Sequence, residues 1–266
     1  MNINRILYKN LFTVDRIPSW ICPTCSSGVL TTEKKFLNVY ESPVSLSYHS
    51  HSEWEPSWIN GGFIGLLKCS NTKCAEIVSI IGKMNVIEGH EYNEELDRMD
   101  YIGHQMLTPL QFYPTLNIFL INKDVPNKIS DVILSAFSLY WVDLSSCANK
   151  IRVVAELIMD DKKVPKKYII KKKRYGYSLH QRIEFFKKTN SEEADLLMAI
   201  KWIGNSGSHE IYNITSDDIL DGFEILELVT TKLYETDSKR IKTLSRNINK
   251  RRKPISKKIK TKRKHP

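Results

Sequence analysis

Two hydrophobic rhythms divide the 266-residue chain. In residues 17–90 the apolar runs are short, Phe63–Leu67 and Ile77–Ile81 among them, and Gly, Cys, Pro, Ser and Asn recur between them. Such runs between turn-forming residues predict strands and turns. From Pro126 onward apolar residues fall instead at three- and four-residue steps, the mark of helices with one buried face. Ile129, Val132, Ile133, Ala136, Phe137 and Tyr140 outline the first helix. Ile151, Val154, Ala155, Ile158 and Met159 outline a second, expected to start near Ser145 or Ser146, which are good N-caps, and to run to Asp160–Asp161. The run KKVPKKYIIKKKRYG that follows is too basic and too interrupted by Pro165 to continue a helix, so a surface loop is expected there. Further helices are predicted over 179–188, over 191–203, where Glu192 and Glu193 suit the positive end of the dipole, and over 216–234. Ile241, Leu244 and Ile248 keep helical spacing to about Asn249.

This pattern predicts an α+β protein. A small β-rich unit occupies residues 1–90, a connector 91–125 that is acidic at first and extended around Pro109 and Pro114, an all-α bundle 126–249, and a basic tail 250–266. Hydrophobic residues at 41% and aromatics at 10% supply enough apolar surface for a packed core. No stretch approaches the roughly 18 apolar residues of a membrane span. Arg5, Lys9, Asp15 and Arg16 interrupt the N-terminus, so no signal peptide is expected and the predicted location is the cytoplasm.

In that compartment thiols stay reduced, and paired cysteines more often bind metal than each other. Cys22-Pro-Thr-Cys25 and Cys69-Ser-Asn-Thr-Lys-Cys74 each present two sulfurs from one tight loop, so a structural Zn2+ held by Cys22, Cys25, Cys69 and Cys74 is expected. Two disulfides or four unrelated buried cysteines are the alternatives. The 43 residues between Cys25 and Cys69 imply an inserted hairpin, with His49 and His51 either facing solvent on its strands or serving as ligands. Cys147 is expected in the helical core.

The formal charge of +10 resides in the C-terminal segment. Residues 239–266 hold 14 Lys or Arg and no acid, leaving 26 basic residues against 30 acidic ones elsewhere. A segment this charged and this poor in large apolar side chains is expected to contact polyanions, from a helix kept to about Asn249 and from residues 250–266 beyond it, which are expected to be disordered when free. The candidate nucleic-acid contacts are Lys250, Arg251, Arg252, Lys253, Lys257, Lys258, Lys260, Lys262, Arg263 and Lys264. A solvated tail that only keeps the chain in solution is the other use.

Three segments of the helical half, Ile151-Arg-Val-Val-Ala-Glu-Leu157, Tyr177-Ser-Leu-His-Gln-Arg-Ile183 and Ala199-Ile-Lys-Trp-Ile-Gly-Asn-Ser-Gly-Ser-His209, resemble in order and spacing the DUF4145 family over about residues 110–235. The cysteine-rich front end looks like the zinc-ribbon extension of some members. The resemblance implies a helical bundle related to the HEPN superfamily, whose members are metal-independent ribonucleases or toxins, or else binding and dimerisation modules. It also implies a homodimer and a place in bacterial anti-phage defence, with a protein partner there. In the HEPN nuclease motif an Arg holds the scissile phosphate and a His a few residues on moves the proton of the ribose hydroxyl. Asn205 and His209 match that motif, whereas Gly204 stands at the Arg position, and Arg152 or Arg182 is the candidate substitute. Three uses fit these residues: capping and packing, phosphate binding without cleavage, and catalysis. The leading expectation is a non-enzymatic, nucleic-acid-associated module; the alternative is an endoribonuclease or toxin using His209.

Overall fold

The computed structural model describes residues 3–9, 11–93, 97–206 and 213–252, and it is α+β: a β-rich part followed by a helical part. Strand β3 (Asn60–Cys69) organises the first. Its buried residues alternate, Phe63, Leu67 and Cys69 pointing to one face, because successive strand side chains point to opposite sides. Two short strands, β1 (Leu30–Thr31) and β2 (Leu37–Glu41), lie end to end along one side of it, and β4 (Ile77–Asn93) pairs on the other. Strand β5 (Arg98–Tyr113) completes the antiparallel sheet beside β4. Phe12, Trp20, Phe63, Ile80, Met84 and Leu107 fill the core on the inner face.

Most of the stretch expected to be a connector is therefore strand. Of its acidic start, Glu91 lies in β4 and Asp97 just before β5, while Glu94 and Glu95 lie outside the described residues; Pro109 is accommodated at an edge strand beside a bulge, where the register shifts between Ile81 and Gly82. Gly82 is required at that bulge, because a Cβ there would stand 2.1 Å from the Thr108 carbonyl oxygen and 2.4 Å from the Phe63 ring. The insertion between the cysteine pairs is also not a plain hairpin. Helix α2 (Pro43–Tyr48), capped by Ser42, and a short 3-10 turn link β2 to β3. A further short helix, α1 (Ile6–Lys9), precedes the sheet.

In the second part, α4 (Leu144–Asp161) packs against α3 (Asn127–Tyr140), α5 (Leu179–Lys187), α6 (Ser191–Ser206) and α7 (Ser216–Tyr234). It buries Cys147, Ala148, Ile151, Val154, Ala155, Ile158 and Met159. It starts earlier than its serines suggested: Asp143 is the N-cap, its carboxylate accepting from Ser146 N–H at 3.0 Å. Capping boxes open α5 at Ser178 and Gln181 and α7 at Thr215 and Asp218. Residues 162–176 are not a loop throughout, since β6 (Lys167–Ile170) and β7 (Lys173–Gly176) form a two-stranded hairpin there. Helix α8 (Thr236–Arg251) ends the described chain, Arg252 closing it with a left-handed φ of 51°.

Aromatic packing joins the two parts. Trp141, at the end of α3, stands 4.8 Å from Phe112 and 6.5 Å from Trp20 between ring centres. The N-terminal segment crosses onto the bundle, where Arg5 binds Asp217, Asp221 and Glu224 on α7 and Tyr140 Oη–H donates to the Tyr8 carbonyl at 3.1 Å.

Candidate metal centre

Two tight turns bring the four paired cysteines together. In the first, Cys22 N–H donates to the Gly28 carbonyl (2.8 Å) and Ser26 N–H to the Cys22 carbonyl (3.0 Å). In the second, Cys69 N–H donates to the Glu76 carbonyl (2.9 Å) and Cys74 N–H to the Asn71 carbonyl (3.0 Å). The residue after the second cysteine of each turn, Ser26 or Ala75, takes a left-handed φ of 52° or 50°, which folds each chain back around its sulfurs. The turns are also stitched to each other: Ser70 N–H donates to the Val29 carbonyl at 2.9 Å, Val29 N–H to Ser70 Oγ at 3.0 Å, and Thr24 Oγ1–H to Glu76 Oε2 at 2.7 Å.

The four Sγ atoms lie within 4.8 Å of one another. Cys22 and Cys74 are 3.9 Å apart at sulfur, Cys25 and Cys69 3.6 Å. All are free thiols, and these separations far exceed the roughly 2.05 Å of a disulfide. A tetrahedral ion bound about 2.3 Å from each sulfur spaces its ligands by about 3.8 Å, so the four residues fit a metal ion. Cys22 and Cys69 are buried and Cys25 and Cys74 half-buried, which shields such an ion from solvent. Hydrogen bonds from the Ser27 side chain and from the backbone of Ser27 and Gly28 pull the Cys25 thiol down to about 5, while burial pushes Cys69 up to about 12. Bound cations favour the thiolate, so a metal would offset the burial at Cys69.

One residue of the centre carried no ligand chemistry in the sequence. A Cβ on Gly28 would stand 2.4 Å from Cys69 Sγ, so glycine is what lets the second turn's sulfur approach the first turn. A glycine three positions after the second cysteine of a pair is the only sequence signal for that role. His49 and His51 are not part of the cluster. They flank the end of α2 rather than lying on strands; His49 Nε2 bonds Glu41 Oε1 at 2.7 Å and His51 packs against Trp58. Cys147 is fully buried in the bundle, its thiol donating to the Ala136 carbonyl at 3.2 Å.

The residues matched to the nuclease motif are partly brought together. Gly204 is buried in the last turns of α6 with Asn205 beside it, and Arg152 of α4 lies directly against Gly204. Arg152 pairs with Glu156 at 3.3 Å and keeps a buried Nε without a hydrogen-bond partner among the described residues. Burial and the Arg152 charge lower the Lys201 ammonium, placing a second cation nearby. Arg182 is held elsewhere: it is buried, bonded to Asp160 at 2.7 Å and to the Val164 carbonyl at 3.1 Å, at a point about 12 Å further along α4 than Arg152. His209 lies outside the described residues, as do Lys253, Lys257, Lys258, Lys260, Lys262, Arg263 and Lys264, whereas Lys250, Arg251 and Arg252 are exposed at the end of α8.

Fold and site together define an α+β protein with a four-cysteine centre close enough to hold a metal ion, and no helix among the described residues is long and apolar enough to cross a membrane. Two family models match the chain: Domain of unknown function (DUF8608) over residues 10–112 and Domain of unknown function (DUF4145) over residues 135–257. The first match spans both cysteine turns and nearly all of β5; the second begins within α3 and runs past α8. No curated protein and no solved structure matches the chain.

Proposed function

We propose that the protein is a non-enzymatic binding module in which zinc holds a ribbon-like unit together and the basic C-terminal segment engages nucleic acid. The observation that carries this reading is the closed set of four sulfurs. With Cys22, Cys25, Cys69 and Cys74 as ligands a tetrahedral ion has no position left for water or substrate, so it organises the fold and performs no chemistry. Zinc suits a tetrahedral thiolate set, as iron–sulfur chemistry also does, and metal analysis separates the two. A cytoplasmic location agrees with four free thiols held side by side. The helical part is taken as a HEPN-like bundle; its dimerisation, a protein partner and a role in bacterial defence follow from the family resemblance alone.

Full-length protein purified under reducing conditions is expected to carry one zinc per chain, with oligonucleotide retention at low salt that deletion of residues 250–266 weakens. Absence of stoichiometric metal sinks the structural half of this reading, and retention unchanged by the deletion sinks the other.

The Arg152 stem lying against Gly204, with its buried Nε unpartnered among the described residues, favours a second reading, a metal-independent endoribonuclease or toxin using His209, Asn205 and Arg152. RNA cleavage in EDTA that disappears in His209→Ala replaces the first reading with this one; no cleavage at high protein concentration retires it.

A further inference from the structure

The β6–β7 hairpin carries features that neither the cysteine centre nor the C-terminal segment uses. Residues 162–176 hold eight Lys or Arg and no acid. Lys162 reaches Asp161 at 3.1 Å and Lys166 reaches Asp160 at 2.6 Å, but among the described residues Lys167, Lys171, Lys172, Lys173 and Arg174 have no carboxylate partner. Ile170 pairs with Lys173, so Lys171 and Lys172 alone make the turn, with left-handed φ values of 46° and 63°. Two-residue turns of this kind favour Asn-Gly, because a Cβ disfavours positive φ. Local conformation and like-charge repulsion in the isolated protein both oppose lysine at these positions, and a bound polyanion relieves the second.

Between these cations runs a row of rings. Tyr168 and Tyr175 sit opposite each other in the ladder, stacked at 5.5 Å with planes 22° apart. Tyr177 packs against Tyr168 at 4.6 Å, and Phe185 of α5 against Tyr177 at 4.9 Å. Tyr175 is 43% exposed and Phe185 37%, so both ends of the row meet solvent. Phe185 also lines a cleft of about 590 Å³ together with Lys162, Lys163, Lys232 and Glu193, where Lys232 is paired with Glu192, and Lys188 lies over the Phe185 ring at 5.6 Å. The row thus leads from the hairpin to a lysine-bearing cleft.

We infer that this hairpin and cleft bind single-stranded nucleic acid, bases stacking on the exposed tyrosine and phenylalanine rings while the flanking lysines and Arg174 hold phosphates. Duplexes hide their base faces, so exposed rings favour an unpaired strand; positive grooves with aromatic platforms bind such strands with little regard to sequence. The site is separate from residues 239–266 and stands whether or not that segment binds nucleic acid.

The test uses the full chain and a labelled oligouridine of about 12 nucleotides, within the usual site size for such surfaces. Photo-crosslinking followed by mass spectrometry is expected to mark the peptide containing Tyr168, Tyr175 and Tyr177. Tyr175→Ala is expected to weaken binding about ten-fold, with Tyr175→Phe near wild type because the ring remains. Replacing Lys173 and Arg174 by Gln leaves the rings in place and is expected to flatten the slope of log affinity against log salt by about 0.7 per charge engaged. A duplex of equal length should compete poorly. Cross-links confined to residues 239–266, with affinity and salt slope unchanged in the Lys173/Arg174 variant, overturn this inference and leave the C-terminal reading standing. Cross-links at the hairpin and none in that segment do the reverse. Tighter binding to phosphatidylserine vesicles than to oligouridine at equal ionic strength also overturns it, assigning the surface to membranes.

Discussion

Arg152 lies across Gly204: a Cβ built on Gly204 would stand 2.4 Å from the Arg152 Cβ and 3.0 Å from the Ala148 carbonyl oxygen. Helices α4 and α6 approach each other here through a residue without a side chain. Gly204→Ala gains roughly 1 kcal/mol of helix propensity but overpacks this contact by about 1–3 kcal/mol. A net loss of about 1 kcal/mol is expected in denaturant unfolding. Gly204→Arg is expected to destabilise the bundle far more in the same measurement, because its stem would meet Arg152 and the Ala148 carbonyl.

Gly28→Ala is expected to damage the cysteine centre while every ligand remains, because its methyl group would meet Cys69 Sγ. Perturbing the surroundings of metal ligands typically costs about 10–100-fold in affinity. Competition against a chromophoric chelator measures the change, and Cys147→Ala, a buried cysteine outside the centre, should leave metal affinity unaltered.

Asp160 anchors Arg182 and Lys166 at the end of α4. Burial opposes its charge, yet these two cations hold its carboxyl below the usual range. The stabilisation is therefore complete above the unfolded value of about 3.9 and is lost as pH falls through the lower folded value. Asp160→Ala should cost about 3 kcal/mol at neutral pH, since it strands a buried guanidinium. The difference in melting temperature from wild type should shrink below about pH 4; a gap independent of pH would show that the ion pair contributes nothing.

Lys172→Gly is expected to stabilise the β6–β7 hairpin by about 1 kcal/mol, because glycine accepts the left-handed backbone that lysine occupies at a cost. Slower amide exchange across the Tyr168–Tyr175 pair would register it.

What local physics controls was legible in the residues. Helix periodicity placed α5, α6 and α7 within a few residues of their observed ends, and the two cysteine spacings picked out the four sulfurs that the fold gathers. The cap of α4 is less legible: Asp143 rather than a serine starts the helix, since several adjacent residues can cap and packing selects one. Polar and proline-bearing strands escaped as well: β5 reads as a connector because its pairing with β4 and the bulge that seats Pro109 involve residues far away in the chain.

Local spacing by itself determined the α+β class, the helical register and the identity of the four thiols, because each depends on residues a few positions apart. Only the tertiary structure decided that Gly28 makes room for Cys69, that Arg152 covers Gly204, that Arg182 belongs to Asp160, and that a basic run becomes a hairpin with stacked tyrosines. Those relationships join segments up to dozens of residues apart, and close packing, which no local pattern encodes, selects among the partners that sequence leaves equally available.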